Sequence, residues 1–136
     1  MLVVDTNIIA YLFLPSDASI HSQRLLELDS DWTAPVLWRS EMRNVLLQYV
    51  RKNLLTLSES IRVQSEAEQL MLNNEFDSVS RTVIELAATS ECSAYDCEFV
   101  ALAVDQRIPL ITADKKLVRS FPDTAHFPEM YIEKRL

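Results

Sequence analysis

Four carboxylates stand where a chain seldom leaves an acid unassisted. Asp5 ends the apolar run LVV, and Asp114 lies two residues beyond the apolar run IPLIT. Each has an ordinary reading as the N-cap of the helix-forming stretch that follows it. Asp96 lies three residues after Ser93, the spacing of a capping box, yet Phe99, Val100 and Ala103 follow it at i+3, i+4 and i+7. That pattern turns its carboxylate toward an apolar face. Glu41 is placed similarly, with Trp38 and Val45 at i−3 and i+4 and the polar line of Asn44 and Gln48 beside it. An inward acid without a partner is costly. Four separate caps or accidents are a poor account of two acids ending strands and two more on the inner edges of helices. Carboxylates gathered in one cleft repel and raise one another's pKa unless divalent cations neutralise them. With oxygen donors alone, and no cysteine or histidine in the pattern, the hard ions Mg²⁺ and Mn²⁺ are favoured over zinc.

The elements that must position these acids are legible in outline. LVVD reads as a short strand buried on both faces, and TNIIAYLFL as a helix stopped by Pro15-Ser16-Asp17. A second helix is expected from Ala18 to Leu28 with Ile20, Leu25 and Leu28 inward, followed by a short strand in TAPVL. From Val36 to Lys52, the residues Met42, Val45, Leu46, Tyr49 and Val50 recur at helical spacing. Thr56 and Glu59 form a capping box for a helix to Asn73. Helices are also expected in SVSRTVIELAATS and CEFVALAVDQ, then a strand in IPLIT and a short helix in ADKKLVRSF. The tail AHFPEMYIEKRL shows no regular period. Strands alternating with helices predict a three-layer α/β/α sandwich around a mainly parallel sheet, with chemistry outside the C-terminal strand ends. Asp5-Thr6-Asn7 and Thr112-Ala113-Asp114 both fall at such ends.

Composition narrows the function further. At 136 residues and 49% hydrophobic content, the chain holds one sizeable core, read as a single domain over 1–136. There is no glycine, so no Gly-rich phosphate loop exists, and left-handed backbone must fall to residues such as Asn53 and the pair Asn73-Asn74. The net charge of −7 disfavours a broad basic surface for nucleic acid, while leaving open an acidic site that carries metal. Local cations lie near the acids: Arg39 and Arg43 around Glu41, and Lys115 and Lys116 after Asp114. They are candidate substrate contacts or ordinary solvated surface. The acidic stretch of Glu59, Glu66, Glu68, Glu75 and Asp77 reads as solvent face. Cys92 and Cys97 fit neither a zinc site nor a disulfide framework, and IIAYLFL is too short to span a membrane, so a reduced, cytoplasmic protein is expected.

The segments VVDTNIIAYLF, WRSEMRNVL and SAYDCEFVALAVDQRIPLITADKKL together resemble PIN-domain nucleases, most closely the small VapC-type toxins of toxin-antitoxin pairs. The resemblance spans essentially the whole chain. It implies an α/β/α fold and metal-dependent RNA cleavage by acids matching Asp5, Glu41, Asp96 and Asp114, with supporting roles for Thr112, Asn7 and Asn44. It also implies an RNA substrate, Mg²⁺ or Mn²⁺ as cofactor, a cognate antitoxin and a homodimer. One departure is Arg107-Ile108, where relatives often carry glycine, taken as a different helix stop. Three other readings are weighed. A silent domain that binds metal or RNA without cutting is opposed by the full acid set. A small-ester phosphohydrolase lacks the Asp-x-Asp pair, and a receiver domain lacks its late-strand lysine. A housekeeping RNA-processing nuclease of the same fold is an alternative to a toxin.

Overall fold

The computed structural model describes residues 1–136, and its sheet is entirely parallel. Strand β1 (Leu2–Val4) lies at the centre, between β2 (Trp32–Pro35) and β4 (Leu110–Ile111). Strands β3 (Glu75–Phe76) and β5 (Ala125–His126) form the edges, giving the order β3-β2-β1-β4-β5. All residues of β1, β2 and β4 are buried, which is why these runs carry no alternation of polar and apolar side chains.

Helices occupy the connections: α1 (Thr6–Phe13), α2 (Ser19–Leu28), α3 (Trp38–Arg51), α4 (Leu57–Leu70), α5 (Ser80–Ala88), α6 (Ala94–Gln106), α7 (Lys115–Ser120) and α8 (Pro128–Glu133). Helix α6 packs across β1, β2 and β4 with α5 behind it, while α1 and α2 pack together, α2 against α8 and α1 against α3 and α4. The expected sandwich is therefore present, with one continuous core that includes Trp32, Trp38, Phe99 and Met71. No helix is long and apolar enough to cross a membrane, and both cysteines are buried free thiols.

Several expectations need correction. Leu25 is buried, but Ile20 and Leu28 are exposed, because α2 packs on α1 and α8 through a narrow stripe. Strands β3 and β5 were not anticipated: each has two residues, too few to display a period, and each forms only because a neighbouring strand offers its hydrogen bonds. The unpatterned tail contains β5 and α8. The Thr56–Glu59 capping box is present with both reciprocal bonds, whereas Ser93 accepts only the Asp96 amide, at 3.1 Å.

With no glycine available, left-handed backbone occurs at Asn53, Asn73 and Arg107. The first two agree with expectation. Arg107, with φ 57° and ψ 43°, ends α6 in the conformation glycine usually supplies, and Ile108 N–H closes back on Ala103 O at 3.0 Å. The stop is thus glycine's geometry made by an arginine, at a conformational cost of roughly 1–2 kcal/mol. We expect Arg107→Gly to raise the unfolding free energy by about 1 kcal/mol in urea titrations, part of the strain relief being offset by glycine's greater chain entropy. An unchanged or lower midpoint would refute this account of the helix stop.

Candidate active site

Strands β1 and β4 pair in parallel with Val4 opposite Ile111, so the residues that follow, Asp5 and Thr112, emerge side by side at the same sheet edge. Thr112 is fully buried, and its Oγ1 donates to Asp5 Oδ2 at 2.7 Å. The same hydroxyl accepts the Asp114 amide at 3.0 Å. Asn7 completes the link: its Nδ2 donates to Asp5 Oδ2 at 3.4 Å, and its Oδ1 accepts the Ala113 amide at 3.2 Å. Two strand-to-helix turns more than 100 residues apart in sequence are stitched into one unit.

Capping uses one oxygen of each strand-end acid. Asp5 Oδ1 caps α1 by accepting Thr6 N–H at 2.8 Å, while Oδ2 is held by Thr112 and Asn7. Asp114 Oδ1 caps α7 through the Lys116 and Leu117 amides, at 2.8 and 3.4 Å. Its second oxygen takes no hydrogen bond from the protein.

Glu41 reaches the cluster from α3. Its Oε1 accepts the Thr6 hydroxyl at 2.7 Å, so Thr6 places Glu41 beside Asp5. The sequence reading passed over Thr6. The available signal was a hydroxyl immediately after an acid at a strand end, but its partner lies 35 residues away. Asp96, half-buried in the first turn of α6, is near enough for its charge to act on both Asp5 and Glu41.

Electrostatics places the acids in one field. Burial, opposed by the Thr112 and Thr6 hydrogen bonds and assisted by Glu41 and Asp96, pushes the Asp5 carboxyl up to about 6. Glu41 is raised by burial, against the Thr6 hydrogen bond and with the charges of Asp96 and Glu98. Asp96 is raised by burial and then by Asp114, with Ser93 and Lys116 opposing. No group of three or more His, Cys, Asp or Glu side chains is spaced to hold a metal ion. The carboxylates thus share a rim as mutually repelling charges and do not form a ready-made cage.

Other sequence candidates fall outside this network. Asn44 is exposed and makes no side-chain hydrogen bond. Arg39 is engaged elsewhere: its Nε and second terminal nitrogen grip Glu75 at 2.6 and 2.7 Å, and its remaining nitrogen meets Glu68 Oε1 at 2.7 Å. Trp38 Nε1 donates to the same Glu75 at 2.7 Å. Glu68 and Glu75 are therefore not solvent face; they anchor the start of α3 to α4 and β3, upstream of Glu41. Arg43 and Lys115 are exposed and form no ion pair.

An α/β/α domain with acids from two strand ends and two helices around one rim belongs to the class of parallel-sheet proteins whose chemistry lies at the strand termini. The family model of the PIN domain matches residues 2–121, and the chain belongs to that family. Ribonuclease VapC3 of Pyrobaculum aerophilum is 27% identical over 124 residues, covering 89% of this chain and 95% of that protein. The crystal structure of PAE2754 from Pyrobaculum aerophilum superposes with a TM-score of 0.76 at 16% identity, over 98% of this chain and 94% of the other. A toxin-antitoxin complex from Klebsiella pneumoniae matches with a TM-score of 0.70 at 17% identity, over 94% of this chain and 98% of the other. These structural likenesses concern the fold.

Because the folded Asp5 binds its proton more tightly than an unfolded aspartate, whose pKa is near 3.8, its ionisation opposes folding as pH rises toward and through about 6. In EDTA, wild type is expected to lose on the order of 3 kcal/mol relative to Asp5→Asn between pH 4 and pH 8, as read from urea unfolding. A difference independent of pH would contradict the burial of this charge.

Proposed function

We propose that this chain is a Mg²⁺- or Mn²⁺-dependent endoribonuclease and the toxin of a toxin-antitoxin pair. The observation that carries the reading is the Thr112–Asp5 hydrogen bond, which fixes a buried carboxylate at the rim shared with Glu41, Asp96 and Asp114. Membership of the PIN family supports it, as do the relative named Ribonuclease VapC3 and the shared fold with a toxin-antitoxin complex.

The donor set fits a hard divalent cation. All candidate ligands are carboxylate oxygens, and Asp5, Glu41 and Asp96 are each destabilised by a neighbouring negative charge that a cation would neutralise. Asp5, Asp96 and Asp114 are assigned as ligands, with Glu41 a fourth ligand or the acceptor of the attacking water's proton. The chemistry such a cation would supply, held by these acids, is a lowered pKa of bound water and polarisation of the scissile phosphodiester. Thr112 and Asn7 hold Asp5 Oδ2 in place, and Thr6 holds Glu41, so both acids meet substrate preorganised.

The partner reading is an antitoxin segment and a second copy of the chain. A groove of about 440 Å³ between α3 and α4, lined by Leu46, Leu47, Val50, Leu57 and Ile61, suits an apolar helix face. The buried free thiols suit a reducing cytoplasm. Dimerisation predicts twice the monomer mass by light scattering; a single-chain mass across the micromolar range would refute it.

The test of the enzyme is incubation of a mixed tRNA and ribosomal RNA pool with Mg²⁺, Mn²⁺ or EDTA. Metal-dependent cutting is expected, lost by about 100-fold or more in Asp96→Asn. Mn²⁺ should also raise the melting temperature of wild type and not of the variant. One rival reading is a domain that binds metal or RNA without cutting. Metal-dependent stabilisation with no cleavage in either protein would select that rival, and equal cleavage by both would remove Asp96 from the chemistry.

A further inference from the structure

Beyond the acidic rim, a second recess is formed by residues 118–135, almost all beyond the stretch matched by the family model. It has a volume of about 330 Å³ and is lined chiefly by His126, Phe127, Met130, Tyr131, Lys134 and Arg135. Its position follows from the sheet. His126 pairs with Ile111, and the amide of Thr112 donates to His126 O at 3.0 Å. The residue whose hydroxyl holds Asp5 is therefore bonded through its backbone to the wall of this pocket.

The lining has a definite chemical character. The Arg135 guanidinium stacks over the Tyr131 ring at 3.5 Å from its centroid, and the His126 ring is tilted against the same tyrosine at 6.1 Å. Neither Lys134 nor Arg135 forms an ion pair, in a chain with 20 acidic and 13 basic side chains. Their field is felt inside the pocket: burial, then the charges of Lys134 and Arg135, pushes the His126 imidazole below its usual range. Helix α7 carries the cations between the two sites. It packs against β5, Val118 contributes to the pocket wall, and Lys116 lies close enough to Asp96 to stabilise that carboxylate. Cations thus stand both beside the acids, at Lys116, and in the pocket wall, at Lys134 and Arg135, on a chain whose net charge is −7. The α3/α4 groove, by contrast, has a largely apolar floor and carries opposite charges, Arg43 and Glu68, in its wall.

We propose that the pocket between β5 and α8 binds one nucleotide of single-stranded RNA beside the cut, its phosphate at Lys134 and Arg135 and its base against Phe127 and Met130. Cationic grooves carrying aromatic and guanidinium planes bind single-stranded nucleic acid through phosphate contacts and stacking. This proposal rests on the reading of the acidic rim as an RNA-cleaving site. It supplies what that rim lacks, a positive anchor for a polyanion that the acids alone would repel.

The test is fluorescence anisotropy of a 5′-fluorescein-labelled, mixed-sequence 12-nucleotide RNA with Mg²⁺. Asp96→Asn is compared with the same protein carrying Lys134→Ala and Arg135→Ala, two exposed positions, with equal melting temperatures confirming that the loss of the Arg135–Tyr131 contact does not unfold either protein. Affinity is expected to fall about 10-fold, and the slope of log affinity against log salt to shrink by about one to two. In a parallel NMR titration, uridine 5′-monophosphate should shift the amides of Phe127, Met130 and Tyr131 and leave those of Leu47 and Ile61 in place. Unchanged affinity and slope, or displacement of the RNA by polyglutamate as readily as by unlabelled RNA, would overturn the proposal. Pocket-dependent binding in a protein whose wild type never cuts would uphold the pocket and remove the nuclease reading. Cutting by wild type together with binding indifferent to Lys134 and Arg135 would do the reverse.

Discussion

The hydroxyl of Thr112 joins the two halves of the sheet's chemical edge. It donates to Asp5 and accepts from the amide of Asp114, so two strand ends and the first turns of two helices share one buried oxygen. Removing it would leave a buried carboxylate short of a donor and a buried amide short of an acceptor, both unfavourable in low dielectric. Much else follows from this constraint. The pairing of β1 with β4 must be in register for the hydroxyl to reach Asp5, and β5 must pair with β4 for the Thr112 amide to be satisfied.

Charge is managed by separation on this molecule. The acids of the rim form no ion pair within the protein, and neighbouring negative charge helps raise the pKa of Asp5, Glu41 and Asp96, with Lys116 opposing at Asp96, a standing electrostatic cost. The strongest cation-carboxylate contact lies just outside the rim, where Arg39 binds Glu75 and Glu68 and, with Trp38, fixes the start of α3. Arg39 pulls Glu75 below the usual carboxylate range, so this contact is charged wherever the acids of the rim are still gaining protons. The helix that carries Glu41 is thereby anchored by the Arg39–Glu75 pair, in which Glu75 is shifted downward while Glu41 is shifted upward. The result is a paired, rigid support beside an edge of carboxylates that make no ion pair.

The acids and their helices were readable because the signals are local. A run of strand formers ending on Asp5, an apolar period around Asp96 and a capping box at Thr56 each lie within a few residues. Glu68 and Glu75, by contrast, read as solvent face, since nothing near them in sequence indicates an arginine 29 or 36 residues away. Thr6 was passed over for the same reason, and β3 and β5 because two residues cannot show a period. Ile20 and Leu28 were assigned inward on helical spacing alone, but the width of the buried stripe is decided by the neighbours that cover it.

The sequence by itself determined the class of architecture, the positions of four candidate acids at strand ends and helix edges, and the absence of any glycine-built phosphate loop, because hydrophobic period, strand-end position and composition are properties of the chain. Only the tertiary structure decided which oxygens of Asp5, Glu41 and Asp114 are held by the protein, that Arg39 is ion-paired while Lys134 and Arg135 are not, and that a backbone without glycine closes α6 on Arg107. The physical reason is common to these cases. Burial, hydrogen-bond partners and local potential arise from groups distant in sequence, and they come into being when parallel strands bring their ends to one edge.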